Sequence, residues 1–255
     1  MKDKKFELLS MNTKNFIVIL LALSVLYGGI ETKAQDGLDL IKKMDNVIFG
    51  PKDKQANVQI LVTSKTEKEK IREAILKQKG ADMKIYKYTK PESQAGVATL
   101  SLPGDIMWMY MPAFEKPKKI SLLAKSQAFT GTDFAYEDMP TQPYAERYTP
   151  KFLKADASAY IIELTPKSDK SNYSKLIATI DKVNYYPITI EYFDKGGDKS
   201  KEARYRYEKI GKYWNAKEVT MSDLKKGSST KITMSEVKFD QGLPDDIFTV
   251  EKFYK

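Results

Sequence analysis

The sequence predicts a mainly β protein of the α+β kind: one antiparallel sheet, strongly curved or closed, with a single amphipathic helix ahead of it. Three observations carry that expectation. Short runs rich in Val, Ile, Thr and Tyr recur at regular intervals, separated by turns rich in Gly, Pro and Asp. Clean helical periodicity occurs in one place, soon after the N-terminal segment. No linker and no internal repeat divides the 255 residues, so a single domain over residues 35–255 is expected.

The N-terminal segment stands apart from that fold. Lys2, Lys4, Lys5 and Lys14 precede an apolar run from Phe16 to Leu26, and Tyr27-Gly28-Gly29 then leads to Thr32-Lys33-Ala34. A basic flank, a short apolar centre and a small terminal residue predict a secretory signal peptide over residues 1–34, cut after Ala34. Met11 begins a signal of more conventional length. The competing reading is an uncleaved anchor, but the run falls short of the ~20 apolar residues a spanning helix needs. No later stretch reaches that length either, so the mature chain is expected free in the periplasm.

The helix comes next. Leu38, Ile41, Met44, Val47 and Ile48 recur at helical spacing, Asp36 can cap the start, and Gly50-Pro51 ends it. The pattern then turns to strands: 57–63, 83–88, 96–102 and 106–111, with Pro103-Gly104-Asp105 turning the last pair. Residues 71–78 are ambiguous, because the charged run 67–76 suits a helix by propensity; the turn at Lys79-Gly80 favours a hairpin. Residues 112–150 hold many prolines and no clean period, which predicts a long structured loop with a helical turn or two. Strands resume at 159–164, 176–181, 187–193, 203–210, 213–224 and 231–239.

Composition removes several chemistries. With no Cys, the protein has no disulfide and no thiol for lipid attachment. With no His, neither a Ser-His-Asp system nor a His-based zinc site can be assembled. The formal charge of +9 includes the N-terminal lysines, and the rest is spread along the chain. That distribution suits a solvated surface or an anionic membrane better than a nucleic-acid groove. The acids Asp133, Glu137 and Asp138 cluster, but they lack a calcium-loop pattern and a second set of ligands. They read as caps and turn formers. No catalytic residue, metal or cofactor is expected, and the chain is not expected to be an enzyme.

Two segments invite a binding role. In the hairpin 100–112, Trp108 and Tyr110 point one way while Met107, Met109 and Met111 point the other. The strand is then either sandwiched between two core layers, or has one face on the core and the other in an apolar cavity. The adaptable thioethers suit the second reading. The other segment, Phe129 to Met139, sets Phe129, Phe134 and Tyr136 among the three acids.

These residues also carry a family resemblance. Trp108-Met109-Tyr110-Met111-Pro112, then Lys118-Lys119-Ile120, then Phe129-Thr130-Gly131-Thr132-Asp133-Phe134-Ala135-Tyr136-Glu137-Asp138 resemble the outer-membrane lipoprotein-sorting proteins, relatives of the periplasmic carrier of lipoprotein localisation. The segments 160–166, 186–196 and 243–249 fit as well, so the likeness covers nearly all of the mature chain. Lys118 and Lys119 stand where an arginine is expected, which weakens any bidentate contact there, and Ala135 replaces a serine. The resemblance implies an incomplete antiparallel β-barrel wrapped over a few helices, with an apolar cavity between the layers. It implies a carrier or chaperone for acyl chains of lipoproteins or for free lipid, with Trp108, Tyr110, Phe129, Phe134 and Tyr136 lining or gating the cavity. A membrane transporter or an outer-membrane acceptor would be its protein partner. The alternative is an envelope accessory or sensor that detects lipid or lipoprotein through the same cavity.

Overall fold

The computed structural model describes residues 37–65, 68–104, 106–120, 128–139 and 142–255. The expected signal segment lies outside these residues. The first element, α1, spans 37–49 and buries Leu40, Ile41 and Met44 on one stripe. Its start lies so close to a later strand that a Cβ on Gly37 would come within 3.1 Å of the Phe152 nitrogen.

Thirteen described strands then form one sheet. In chain order they are β1 (Asp53–Thr63), β2 (Lys70–Lys79), β3 (Met83–Lys90), β4 (Ala98–Leu102), β5 (Ile106–Tyr110), β6 (Lys118–Lys119), β7 (Tyr148–Ala155), β8 (Ala159–Pro166), β9 (Tyr173–Asp181), β10 (Pro187–Asp194), β11 (Lys199–Ile210), β12 (Tyr213–Asp223) and β13 (Ser228–Phe239). The spatial order is β6-β5-β4-β3-β2-β1-β13-β12-β11-β10-β9-β8-β7, antiparallel throughout. Two meanders are thus joined back to back by the pairing of β1 with β13, which brings Ile60 opposite Ile232. The sheet stays open between its edge strands β6 and β7, so of the two expectations, curved or closed, the open form holds.

The ambiguous segment 71–78 lies within β2, a strand. Ala74, Leu76 and Gln78 all turn inward at period 2, and burial of that face outweighs the helical propensity of Glu, Lys and Ala. The expected loop over 112–150 is a partial correction. It includes the two-residue edge strand β6, a one-turn helix α2 (Tyr144–Arg147) and the start of β7. Pro150 hides β7 from sequence reasoning, yet an edge strand can accommodate a proline because one side of it needs no ladder donor.

The inner face of the sheet carries the main core. Ala56, Val58, Ile60, Ile162, Leu164, Leu176, Ile190 and Met221 pack there with α1 and with the segment 128–139. A second core lies on the outer face of β3 to β5, where Ile85, Leu100, Trp108 and Tyr110 meet Phe248, Phe253 and Tyr254 of the C-terminal segment.

Candidate functional site

Between the edge strands the chain passes back across the inner face as a short plug, residues 128–139. A bridge between Ala128 and Ala135 closes the plug on itself, and the left-handed Thr130 and Gly131 make its bend. Phe129, Phe134, Tyr136 and Met139 are all buried. The Phe129 ring meets Tyr86 of β3 edge-on at 5.7 Å and Tyr136 at 5.2 Å.

All three clustered acids clamp this plug. The Asp133 carboxylate accepts hydrogen bonds from the hydroxyls of Ser228 and Thr230 on β13, the latter at 2.6 Å. Glu137 accepts from the Ser171 hydroxyl and from the backbone and side-chain nitrogens of Asn172, at 3.0 and 2.8 Å. Asp138 has the most varied partners. It accepts from the Ala135 N–H at 2.7 Å and the Tyr173 hydroxyl at 2.7 Å, and pairs with the Lys201 ammonium at 3.0 Å. Its hydrogen bond to Ala135 closes a local capping turn. Every acid of the cluster is therefore consumed in holding the plug to β13, β9, β11 and the turn before β9.

The plug, α1 and the sheet enclose a cavity of about 120 Å³. Its apolar walls are Ile48 and Phe49 from α1, Phe134 and Met139 from the plug, and Leu76, Val219, Ile232 and Met234 from the strands. Polar groups are few and placed: Lys54, Gln78, Lys84 and Asp138, with tyrosines 86, 144, 205 and 207. Tyr205 interacts with the side chains of Tyr144 and Tyr192. Burial holds Tyr144, Tyr205 and Tyr207 above the usual phenol range, so they stay neutral at any physiological pH. A smaller pocket of about 60 Å³ shares Ile48, Lys54, Gln78, Tyr207 and Ala216 with the first, and adds Pro51, Asp53, Trp214, Asn215 and Phe239. The two form a continuous depression at the C-terminal end of α1. In the smaller one the buried Asn215 Oδ1 has no partner among the described residues, an acceptor that a ligand hydroxyl or N–H would satisfy.

The expected site residues divide between the two faces of the sheet. Phe134 lines the cavity, while Phe129 and Tyr136 sit behind it in the same core and fix the plug. Trp108 and Tyr110 lie on the opposite face, where Tyr110 stacks on Tyr254 at 4.0 Å. The alternation along β5 is as expected. The C-terminal segment supplies an outer apolar layer, so the aromatic face of β5 packs outward while Met107 and Met109 face the inner core. Sequence reasoning missed Lys54, Lys84, Tyr205, Tyr207 and Trp214. The signal available for the lysines was their place in the inward half of alternating runs, Lys54-x-Ala56-x-Val58 and Lys84-x-Tyr86-x-Tyr88.

Among the described residues no group of His, Cys, Asp or Glu is arranged to hold a metal ion, and no helix is long and apolar enough to cross a membrane.

A family model whose description reads "-like: Uncharacterized protein" matches residues 80–255. No curated protein matches the chain. Among solved structures, a protein described as an outer membrane lipoprotein-sorting protein domain from Vibrio parahaemolyticus is 27% identical, with a TM-score of 0.82 over 87% of this chain and 100% of the other. A DUF1329 family protein from Desulfovibrio piger is 25% identical, with a TM-score of 0.78 over 85% of this chain and 97% of the other. A LolA superfamily protein from Nitrosomonas europaea is 27% identical, with a TM-score of 0.73 over 86% and 99%.

Proposed function

We infer a lipid carrier from one premise: the chain belongs to the outer-membrane lipoprotein-sorting protein family. We propose that it is exported by its signal segment, cut after Ala34, and works in the periplasm as a single domain. There it holds acyl chains of lipoproteins or of free lipid between the curved sheet and α1. The observation that carries the reading is the cavity beneath α1, walled by adaptable Met and aromatic side chains with only a few placed polar groups. Each methylene left in water costs about 0.8 kcal/mol, so a chain in transit needs a dry enclosure.

The cavity is small in this state. A cavity of ~150 Å³ holds a molecule the size of benzene, so 120 Å³ accepts the end of an acyl chain and no more. Loading must therefore move α1 or the plug. Helix α1 is the easier part to move, since a single carboxylate, Asp45, ties it to the backbone of Tyr144 and Ala145, whereas the plug is clamped by three. With every clustered acid occupied in this way, the site supports holding a ligand rather than breaking one.

The reading is tested by tryptophan emission. Trp214 lines the mouth while Trp108 packs beneath the C-terminal segment. Saturating dodecanoate or a lipopeptide should shift emission to the blue as water leaves the mouth. Trp108→Phe should keep the shift and Trp214→Phe should abolish it. A spectrum indifferent to every lipid offered, in protein whose organic extract also holds no lipid by mass spectrometry, would end the carrier reading.

A further inference from the structure

Strands β12 and β13 are paired from Asp223 and Ser228 as far as Glu218 and Thr233, and then they part. Beyond that ladder β12 follows β11 and β13 follows β1. Each of the two carries a bulge near the point of separation. Lys217 is the extra residue of β12, and Glu236, left-handed at φ 54°, falls within the bulge of β13. The strands meet again at their ends, where the ring centres of Tyr213 and Phe239 are 5.2 Å apart and the Tyr213 hydroxyl donates to Asp240 at 2.6 Å. A gap bounded at both ends thus stands between two neighbouring strands of the sheet. The smaller pocket lies there, with Trp214 and Asn215 on one side and Lys54 and Phe239 on the other.

Two polar groups of this pocket are already engaged. The Asp53 carboxylate accepts the backbone N–H groups of Gln241, Gly242 and Leu243, and the Gln78 side-chain nitrogen donates to the Gly80 carbonyl at 2.9 Å. Asn215 is different. It is 1% exposed, its Nδ2 donates to Glu208 Oε1 at 3.4 Å across the β11–β12 pair, and its Oδ1 has no partner among the described residues. The Glu208 carboxylate fixes which end of the amide is which, since the reverse orientation would set oxygen against oxygen. The unpaired end is therefore the acceptor. A buried amide oxygen without a donor costs free energy, and such a group calls for a partner from outside the chain.

We propose that the gap between β12 and β13 is a subsite for the head of a bound amphiphile, and that Asn215 there accepts an N–H or O–H from that head. The tail runs on beneath α1, because the pocket shares Ile48, Tyr207 and Ala216 with the larger cavity. The inference rests on the carrier reading and names its cargo class: acyl amides or lipids with a free hydroxyl, in preference to esters and ethers that lack a donor.

The test uses two pairs of ligands that differ in the donor, by calorimetry on the mature protein. N-methyldodecanamide is compared with N,N-dimethyldodecanamide, and dodecanol with dodecyl methyl ether. In at least one pair the donor-bearing member should bind about tenfold more tightly, the worth of one hydrogen bond to a buried acceptor. The pair that shows the preference identifies the head as N–H or O–H. Asn215→Leu should bring the donor-bearing ligand down to the affinity of its donor-free partner. That substitution removes an unpaired buried oxygen, so the variant should fold, and the wild-type comparison stands without it. Equal binding within both pairs by the wild type would overturn the subsite and leave the carrier reading intact, and is the result if a trapped water or the Lys54 ammonium serves Oδ1. An Asn215→Leu variant that keeps the preference, or weakens both members of a pair alike, would overturn it as well. Binding of none of the four would remove the carrier reading together with the inference.

Discussion

Lys84 shows how one side chain links folding to pH. It occupies an inward position of β3 beside Tyr86 and Tyr88, and is 6% exposed. Burial lowers its proton affinity and the charges of Lys54 and Arg147 lower it further, while Asp138 lies across the cavity among tyrosines that remain neutral. Its pKa falls from 10.5 to about 7 on folding. Between those two values the unfolded chain holds the proton and the folded chain does not, so stability rises with pH across that window. Below about pH 7 the side chain is charged in both states and contributes no further slope. Each tenfold change in proton affinity is worth about 1.4 kcal/mol, which makes the rise on the order of a few kcal/mol. Urea midpoints of the ligand-free protein should therefore climb from pH 7 to pH 10, and Lys84→Met should flatten much of the climb. Parallel profiles for the two proteins would show that Lys84 is not the titrating group. The inward place of this lysine is legible in its alternating run. That its neighbours are a second lysine and an arginine is not, because β1 and α2 reach it from 30 and about 60 residues away.

At the scale of elements, the plug is the part whose stability is easiest to dissect, because its three clamps differ in depth. Asp138 is buried, paired with Lys201 and bonded to Tyr173 and Ala135. Its removal leaves the half-buried Lys201 ammonium and the Tyr173 hydroxyl without their acceptor and should cost about 3 kcal/mol. Asp133→Ala leaves two hydroxyls of β13 without their acceptor and should cost about 1–3 kcal/mol. Glu137 sits nearer solvent, and Glu137→Ala should cost about 0.5–1.5 kcal/mol. Chemical unfolding of the three variants checks the order, and lipid affinity should decline in the same order. A variant of wild-type stability that abolishes formation of some product would instead make its acid catalytic. The acidic cluster was legible in the sequence as cap and turn chemistry. Its partners were not, because Thr230, Tyr173 and Lys201 lie 97, 35 and 63 residues away.

The whole molecule depends on a second layer that covers the outer face. The Asp53 carboxylate, at the start of β1, accepts the backbone N–H groups of Gln241, Gly242 and Leu243 at 2.8, 2.8 and 3.0 Å. That anchor turns the chain after β13 back over β3 to β5, where Phe248 and Phe253 are each 3% exposed. Phe253→Ala should cost about 3–5 kcal/mol, the range for deleting a buried aromatic ring. Because the strands it covers also form one wall of the inner core, unfolding should remain a single transition at a lower denaturant midpoint. A separate early transition would mean that the C-terminal segment folds apart from the sheet.

What the sequence determined by itself is local and periodic. The helix over 37–49, nearly every strand, the alternation that divides Trp108 from Met109, and the absence of Cys and His chemistry follow from spacing and composition, because each depends on residues within a few positions of one another. The expected run 112–150 misses β7 for a local reason as well, since a proline is permitted only where an edge leaves it room. Which face of β5 is inner was left to the tertiary structure. Period 2 separates two faces without naming them, and the choice depends on a C-terminal layer more than 130 residues downstream. The same holds for the cavity. Pairing β1 with β13 brings Lys54 and Lys84 to one wall and Val219, Ile232 and Met234 to the next, and only such long-range pairing sets buried charge beside apolar surface.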